Sequence, residues 1–131
     1  MLRRRELLAY LVGAGIAGTI LVGPYVLRVV GVGIFMPGAR VPVVPIVLLP
    51  ILWGAWNLLW ARRHPPMSIG SWGAVLGLGA ATGINVYLWA AGLWFRAAAA
   101  LLVFLPTIYW LFWRLVVGPL NDAVGVEGER A

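Results

Sequence analysis

Cysteine and lysine are absent from this 131-residue chain, histidine occurs once, and only four residues are acidic. Each scarcity excludes chemistry. Without a thiol there is no disulfide, thiolate nucleophile, iron–sulfur cluster or cysteine-based zinc site. A single histidine, His64, cannot supply a His-rich metal site or bis-histidine haem ligation from one chain. The carboxylates are Glu6, Asp122, Glu127 and Glu129, and all lie outside the long apolar runs. Those runs therefore hold no paired aspartates for proteolysis and no coupling group for a proton or cation carrier. Ser68 and Ser71 are the only serines and have no neighbouring base to make either a nucleophile. No convincing strand precedes a glycine-rich turn, so a phosphate-cradling loop has no scaffold. The inventory predicts a protein that is not an enzyme, with no catalytic residue, cofactor or metal.

What is abundant is apolar surface. Hydrophobic residues make up 63% of the chain, charged residues 11%, and the mean hydropathy is +0.95. A soluble domain of this size cannot hide that much from water, so lipid is the expected solvent. The net charge of +6 comes from arginines scattered in ones, twos and one triplet between apolar runs. That pattern is membrane-topology charge, not a stripe that tracks nucleic-acid phosphates.

Four runs are long enough to cross a hydrocarbon core of about 30 Å: about 7–27, 41–60, 69–93 and 97–117. The first follows Arg3-Arg4-Arg5-Glu6, is longer than a signal-peptide core and lacks a small-x-small cleavage site, so it is read as a retained signal anchor, with a kink expected at Pro24. The second opens on Pro42 and Pro45, tolerated in a first turn, whereas Pro50 lies inside and should free the carbonyl of Ile46. Ser68 is the expected N-cap of the third, and Gly118-Pro119 the expected stop of the fourth. The short connection around Arg96 makes the last two an antiparallel hairpin. Residues 28–40 read as an outer interfacial loop and 118–131 as a solvated cytoplasmic tail. The fold class is thus an all-α four-transmembrane-helix bundle forming a single membrane domain, with no internal repeat of the inverted-transporter kind.

Orientation follows from the arginines. Four crossings put Arg3, Arg4, Arg5, Arg62, Arg63, Arg114 and Arg130 on one side, and Arg28, Arg40 and Arg96 on the other, which makes the first side cytoplasmic and both termini internal. Trp60, Trp72, Trp94, Trp110, Trp113, Tyr10 and Tyr25 cluster near span ends, as amphipathic rings do at headgroup depth. Arginine as the sole base, with abundant Ala, Gly and Val, points to a GC-rich genome and a bacterial inner (plasma) membrane.

Three groups of residues are candidates for a role. Thr19, Thr82, Asn85 and Thr107 fall at similar depth, about 15 to 22 Å from the inner boundary. They form a polar layer that either bonds helices together or lines a pathway, with Asn85 best placed to face a ligand; interhelical bonding is the commoner use. Gly73 with Gly77, and Gly79 with Gly83, make small-xxx-small steps on the third run, a face for packing within the bundle, for a second copy or for a partner. Gly13, Gly15 and Gly18 smooth the first run in the same way. Trp53, Trp56 and Trp60 share one helical side near Asn57 at the inner face. This aromatic and amide patch serves as anchor or core packing before it serves a lipid, quinone or other flat ligand. His64 is expected at the solvated rim beside Arg62 and Arg63, and Arg114 is expected to snorkel.

The expected function is a non-catalytic scaffold or accessory subunit binding other membrane helices, as a homo-oligomer or with a membrane-protein partner in the lipid bilayer. The alternatives are a small oligomeric channel or permease using the Thr/Asn layer, and a lipid- or quinone-binding protein. Topology is checkable directly: a reporter that needs the cytoplasm should be active when fused after Ala131, and activity of a periplasm-dependent reporter at that point contradicts the orientation.

Overall fold

Residues 3–35 and 44–126 are described by a computed structural model of the chain, and among them every regular element is helical. Four helices follow one another: α1 (Arg4–Phe35), α2 (Val44–Arg63), α3 (Ile69–Ala90) and α4 (Arg96–Ala123). The last two are each long and apolar enough to cross a membrane, with mean hydropathies of 1.3 and 1.9.

Local chemistry explains most of the boundaries. Glu6, three residues into α1, reaches back to accept the Arg3 N–H at 3.1 Å, half of a capping box. The 32 residues of α1 remain helical across Pro24 and through Val29–Phe35. This corrects the outer loop expected over 28–40, whose remaining part, 36–40, lies outside the described residues. Gly31 and Gly33 each cost a helix only about 1 kcal/mol, so glycine without proline does not end this helix. The expected start of the second span at Val41 and Pro42 also falls outside the described residues. α2 has Pro45 in its first turn and Pro50 inside it, and Arg62 and Arg63 sit in its last turn, where cations complement the helix dipole. His64 ends it in a left-handed conformation, φ 45°, and Pro65-Pro66 cannot continue it.

Ser68 caps α3 as its sequence predicts, accepting the Ser71 N–H at 3.1 Å. At the other end, Gly92 at φ 68° closes a Schellman motif in which Leu93 N–H bonds the Leu88 carbonyl at 2.8 Å and Gly92 N–H bonds that of Trp89 at 3.0 Å. The helix therefore stops three residues short of the expected Leu93.

α4 changes pitch along its length: a 3₁₀ turn over Arg96–Ala100, α-helix over Leu101–Phe112, a π turn over Trp113–Val117, and α-helix again over Gly118–Ala123. Gly118-Pro119 does not stop it, which corrects the sequence expectation. Gly118 is right-handed, φ −57° and ψ −62°, and its N–H reaches five residues back to the Trp113 carbonyl. That wide turn relieves the clash a proline ring makes with the carbonyl four residues earlier, so Pro119 enters a new α segment at its first turn. The left-handed glycine that does follow the helix is Gly125, φ 78°. Within this stretch Gly118, Asn121 and Val126 are buried, while Pro119, Leu120 and residues 122–125 are exposed. The tail residues 127–131 lie outside the described residues.

The chain divides into two compact units, Met1–Arg63 with Gly125–Ala131, and His64–Val124. Each contains one antiparallel helical hairpin. In the first, Ala9, Gly13 and Ala17 form a buried stripe at four-residue spacing along α1. A Cβ on Gly13 would stand 2.5 Å from the Trp53 carbonyl oxygen, and one on Gly54 2.8 Å from the Tyr10 ring, so the two backbones are nearly in contact. Ala9, Ala61 and Val126, with Leu8 against them, close the end of this unit. In the second, Gly70, Gly73, Gly77 and Ala81 form the buried face of α3. A Cβ on Gly73 would lie 2.5 Å from that of Trp113, and one on Gly77 2.8 Å from the Leu105 carbonyl oxygen. Trp113 is fully buried there and stacks on Tyr109 at 5.7 Å between ring centres.

The two halves of the α3 glycine pattern should respond oppositely to alanine. Gly73→Ala is expected to destabilise the protein by about 1–3 kcal/mol through overpacking. Gly79→Ala, with nothing within 4 Å of its added Cβ, should be neutral or stabilising by up to about 1 kcal/mol. Denaturant titration in detergent followed by circular dichroism measures both, and equal losses would refute the assigned face.

Candidate functional site

The side chains with capacity for recognition are few, and most are engaged inside their own hairpin. Asn57 is completely buried on α2 and its Nδ2 donates to the Ala9 carbonyl at 2.8 Å. One turn nearer the chain's arginine cluster, Arg5 Nη2 donates to the Ala61 carbonyl at 2.6 Å, satisfying an acceptor in the last turn of α2. Glu6 Oε1 lies 3.9 Å from Arg62 Nε. These contacts fasten the end of the first hairpin with charge while Asn57 fastens its interior with an amide. Trp53 and Trp60 of the predicted aromatic patch are buried beside Asn57 and Trp56 is half-buried, so the patch belongs to the packing of this unit.

In the second hairpin Asn85 lies near the α3–α4 connection. Its Nδ2 donates to the Ala81 carbonyl at 3.0 Å and to the Ala98 carbonyl at 3.0 Å, and its Oδ1 accepts the Trp94 indole N–H at 3.0 Å. Both amide protons and the amide oxygen are thus occupied. One side chain joins its own helix, the turn and the first turn of α4.

The three threonines of the expected polar layer are exposed, and each hydroxyl donates at 2.8 Å to the carbonyl four residues back: Thr19 to Gly15, Thr82 to Leu78, Thr107 to Val103. This is the local arrangement a threonine adopts in an apolar helix. Among the described residues no hydrogen bond joins these threonines to one another or to Asn85, and Thr19 belongs to the other unit.

The glycine pairs separate just as clearly. Gly73 and Gly77 face α4, whereas Gly79 and Gly83 have nothing within 4 Å of an added Cβ. At about 100° per residue they lie on the opposite side of α3 from the buried stripe. Exposed Val75, Thr82 and Val86 flank them. Of the first-run glycines, Gly13 is in the seam, while Gly15 and Gly18 are open.

Two features were not foreseen from sequence. The indole of Trp94 pairs with Asn85 only because the turn folds it back, which no spacing rule signals. An open groove of about 330 Å³ runs along the second hairpin, lined by Ala74, Pro106, Thr107 and Trp110. Beside it the Arg114 guanidinium lies over the Trp110 ring, 5.0 Å from its centre. The four-residue spacing of Trp110 and Arg114 was the available signal for that pair. His64 is exposed, and among the described residues no three His, Cys, Asp or Glu side chains cluster as metal ligands would.

If Asn85 pins the connection, Asn85→Ala should loosen it. Trypsin cleavage after the exposed Arg96 is expected to quicken severalfold in the variant, with a stability loss of about 1–2 kcal/mol. An unchanged cleavage rate would show that the amide holds nothing. No protein-family model, curated protein or solved structure matches this chain.

Proposed function

We propose that the protein is a four-pass inner-membrane scaffold or accessory subunit, with both termini cytoplasmic, that binds another membrane helix through the open glycine face of α3. Support for lipid as its surroundings comes from burial. The core helix of a soluble protein is mostly covered, yet only 17% of the most apolar window of α3 and 11% of that of α4 is buried. Val103, Phe104, Leu115, Val86 and Trp89 are all more than half exposed, a surface that water would not tolerate. Arginine asymmetry orients the four crossings. The hairpins are consistent with it: Arg5 meets the end of α2 that carries Arg62 and Arg63, and Ile69, at the start of α3, packs on Gly118 near the end of α4.

The observation that carries the binding role is the separation of the two small-residue steps. Gly73 and Gly77 already serve the α3–α4 seam; among the described residues, nothing lies within 4 Å of a Cβ added at Gly79 or Gly83. Apolar helices in lipid gain by close backbone approach, and a small-xxx-small step between exposed valines offers that approach to a second helix. A channel gains less support, since the threonine hydroxyls and the Asn85 amide that would line it are engaged with carbonyls and an indole.

Native mass spectrometry after purification in mild detergent tests the role. Wild type should carry a second membrane chain, either another copy or a partner. Gly83→Leu should release it while circular dichroism stays unchanged, and Gly15→Leu, on an open face of α1, should retain it. A monomeric wild type, or loss in both variants, contradicts the assignment.

A further inference from the structure

We infer that the second hairpin carries a binding site for one anionic phospholipid, its phosphate paired with Arg114 and part of one acyl chain in the groove between α3 and α4. The inference rests on the membrane reading above and is independent of the helix-binding role.

The groove is walled by Ala74, Pro106, Thr107 and Trp110. Its composition explains its existence. Ala74 and Thr107 are small, and the Thr107 hydroxyl is turned onto the Val103 carbonyl, which leaves a largely apolar notch. Pro106 has no N–H to present. Trp110 bounds the notch at one end and is also the ring on which the Arg114 guanidinium rests. One indole therefore joins an apolar slot to a cation carried from the next turn of the helix and laid over its ring.

Charge complementarity selects the occupant. Arg114 is exposed, its contact is with the Trp110 ring, and no carboxylate among the described residues is paired with it. A guanidinium with one face on an aromatic ring still has its N–H fork free for a phosphate, in the planar geometry arginine favours. A flat neutral ligand such as a quinone would fill the slot and leave the cation without an anion. A lipid satisfies both at once, and the cytoplasmic leaflet, which the orientation assigns to this end of α4, is the one rich in anionic headgroups.

The test is native mass spectrometry of the full chain released from nanodiscs containing equal phosphatidylglycerol and phosphatidylcholine. Wild type should retain one phosphatidylglycerol in preference to phosphatidylcholine. Arg114→Gln should reduce that retention about fivefold, the effect of one cation near an anionic surface. Ala74→Leu should reduce it comparably with Arg114 intact, because the slot is filled. Arg96→Gln, at the opposite end of α4, should leave it unchanged. Glycerol phosphate, which has the headgroup chemistry without chains, should not compete. Equal losses in the two arginine variants, retention in Ala74→Leu, or competition by glycerol phosphate overturns the site. Resistance of each variant to carbonate extraction reads out the membrane assignment separately, so a membrane-embedded protein with no lipid preference refutes this inference alone.

Discussion

Backbone proximity at positions without side chains is the condition on which both hairpins depend. Gly13 lies so close to the Trp53 carbonyl, and Gly73 to the base of Trp113, that an added Cβ would stand 2.5 Å from each. Dispersion over such closely matched surfaces is then gained along the whole seam. Close approach then makes the remaining interactions geometrically available. Asn57 can reach the Ala9 carbonyl, and Arg5 the Ala61 carbonyl, only because the Ala9–Gly13–Ala17 stripe lets α2 come near.

The few polar side chains are distributed according to the same logic. Where a helix has no neighbour, a threonine returns its proton to its own backbone; where a turn leaves carbonyls unmatched, an amide bridges them. Asn85 is the fullest case, with one bond inside α3 and two that tie α3 to the turn and to α4. Among the described residues, α3 carries the open Gly79–Gly83 step and α4 carries Arg114 beside its groove.

Much of this was legible in the chain and some was not, for reasons that differ by residue. The N-cap at Ser68 and the interior position of Pro50 are local properties, and they follow from side-chain chemistry within a turn. The failure at Gly118-Pro119 is instructive: glycine permits a left-handed stop without requiring one, and a π turn kept the helix going. The outer loop expected over 28–40 failed in its described part because glycine without proline is too weak a breaker. Asn85 stands out in the sequence as a lone amide in an apolar run, but its partners, Trp94 among them, lie around a turn and no spacing names them.

The sequence by itself determined the helical class, the lack of carboxylates, histidine and cysteine in the apolar runs, and the existence of small-residue steps, because composition and spacing of three or four residues are properties of the chain. Only the tertiary structure decided which of those steps faces a neighbour. Gly73 and Gly79 are equivalent as residues and differ by about 240° around α3. That angle becomes contact or open surface only when α4 packs against one side, and so the division between glycines in the seam and glycines on the open surface belongs to the packed hairpin.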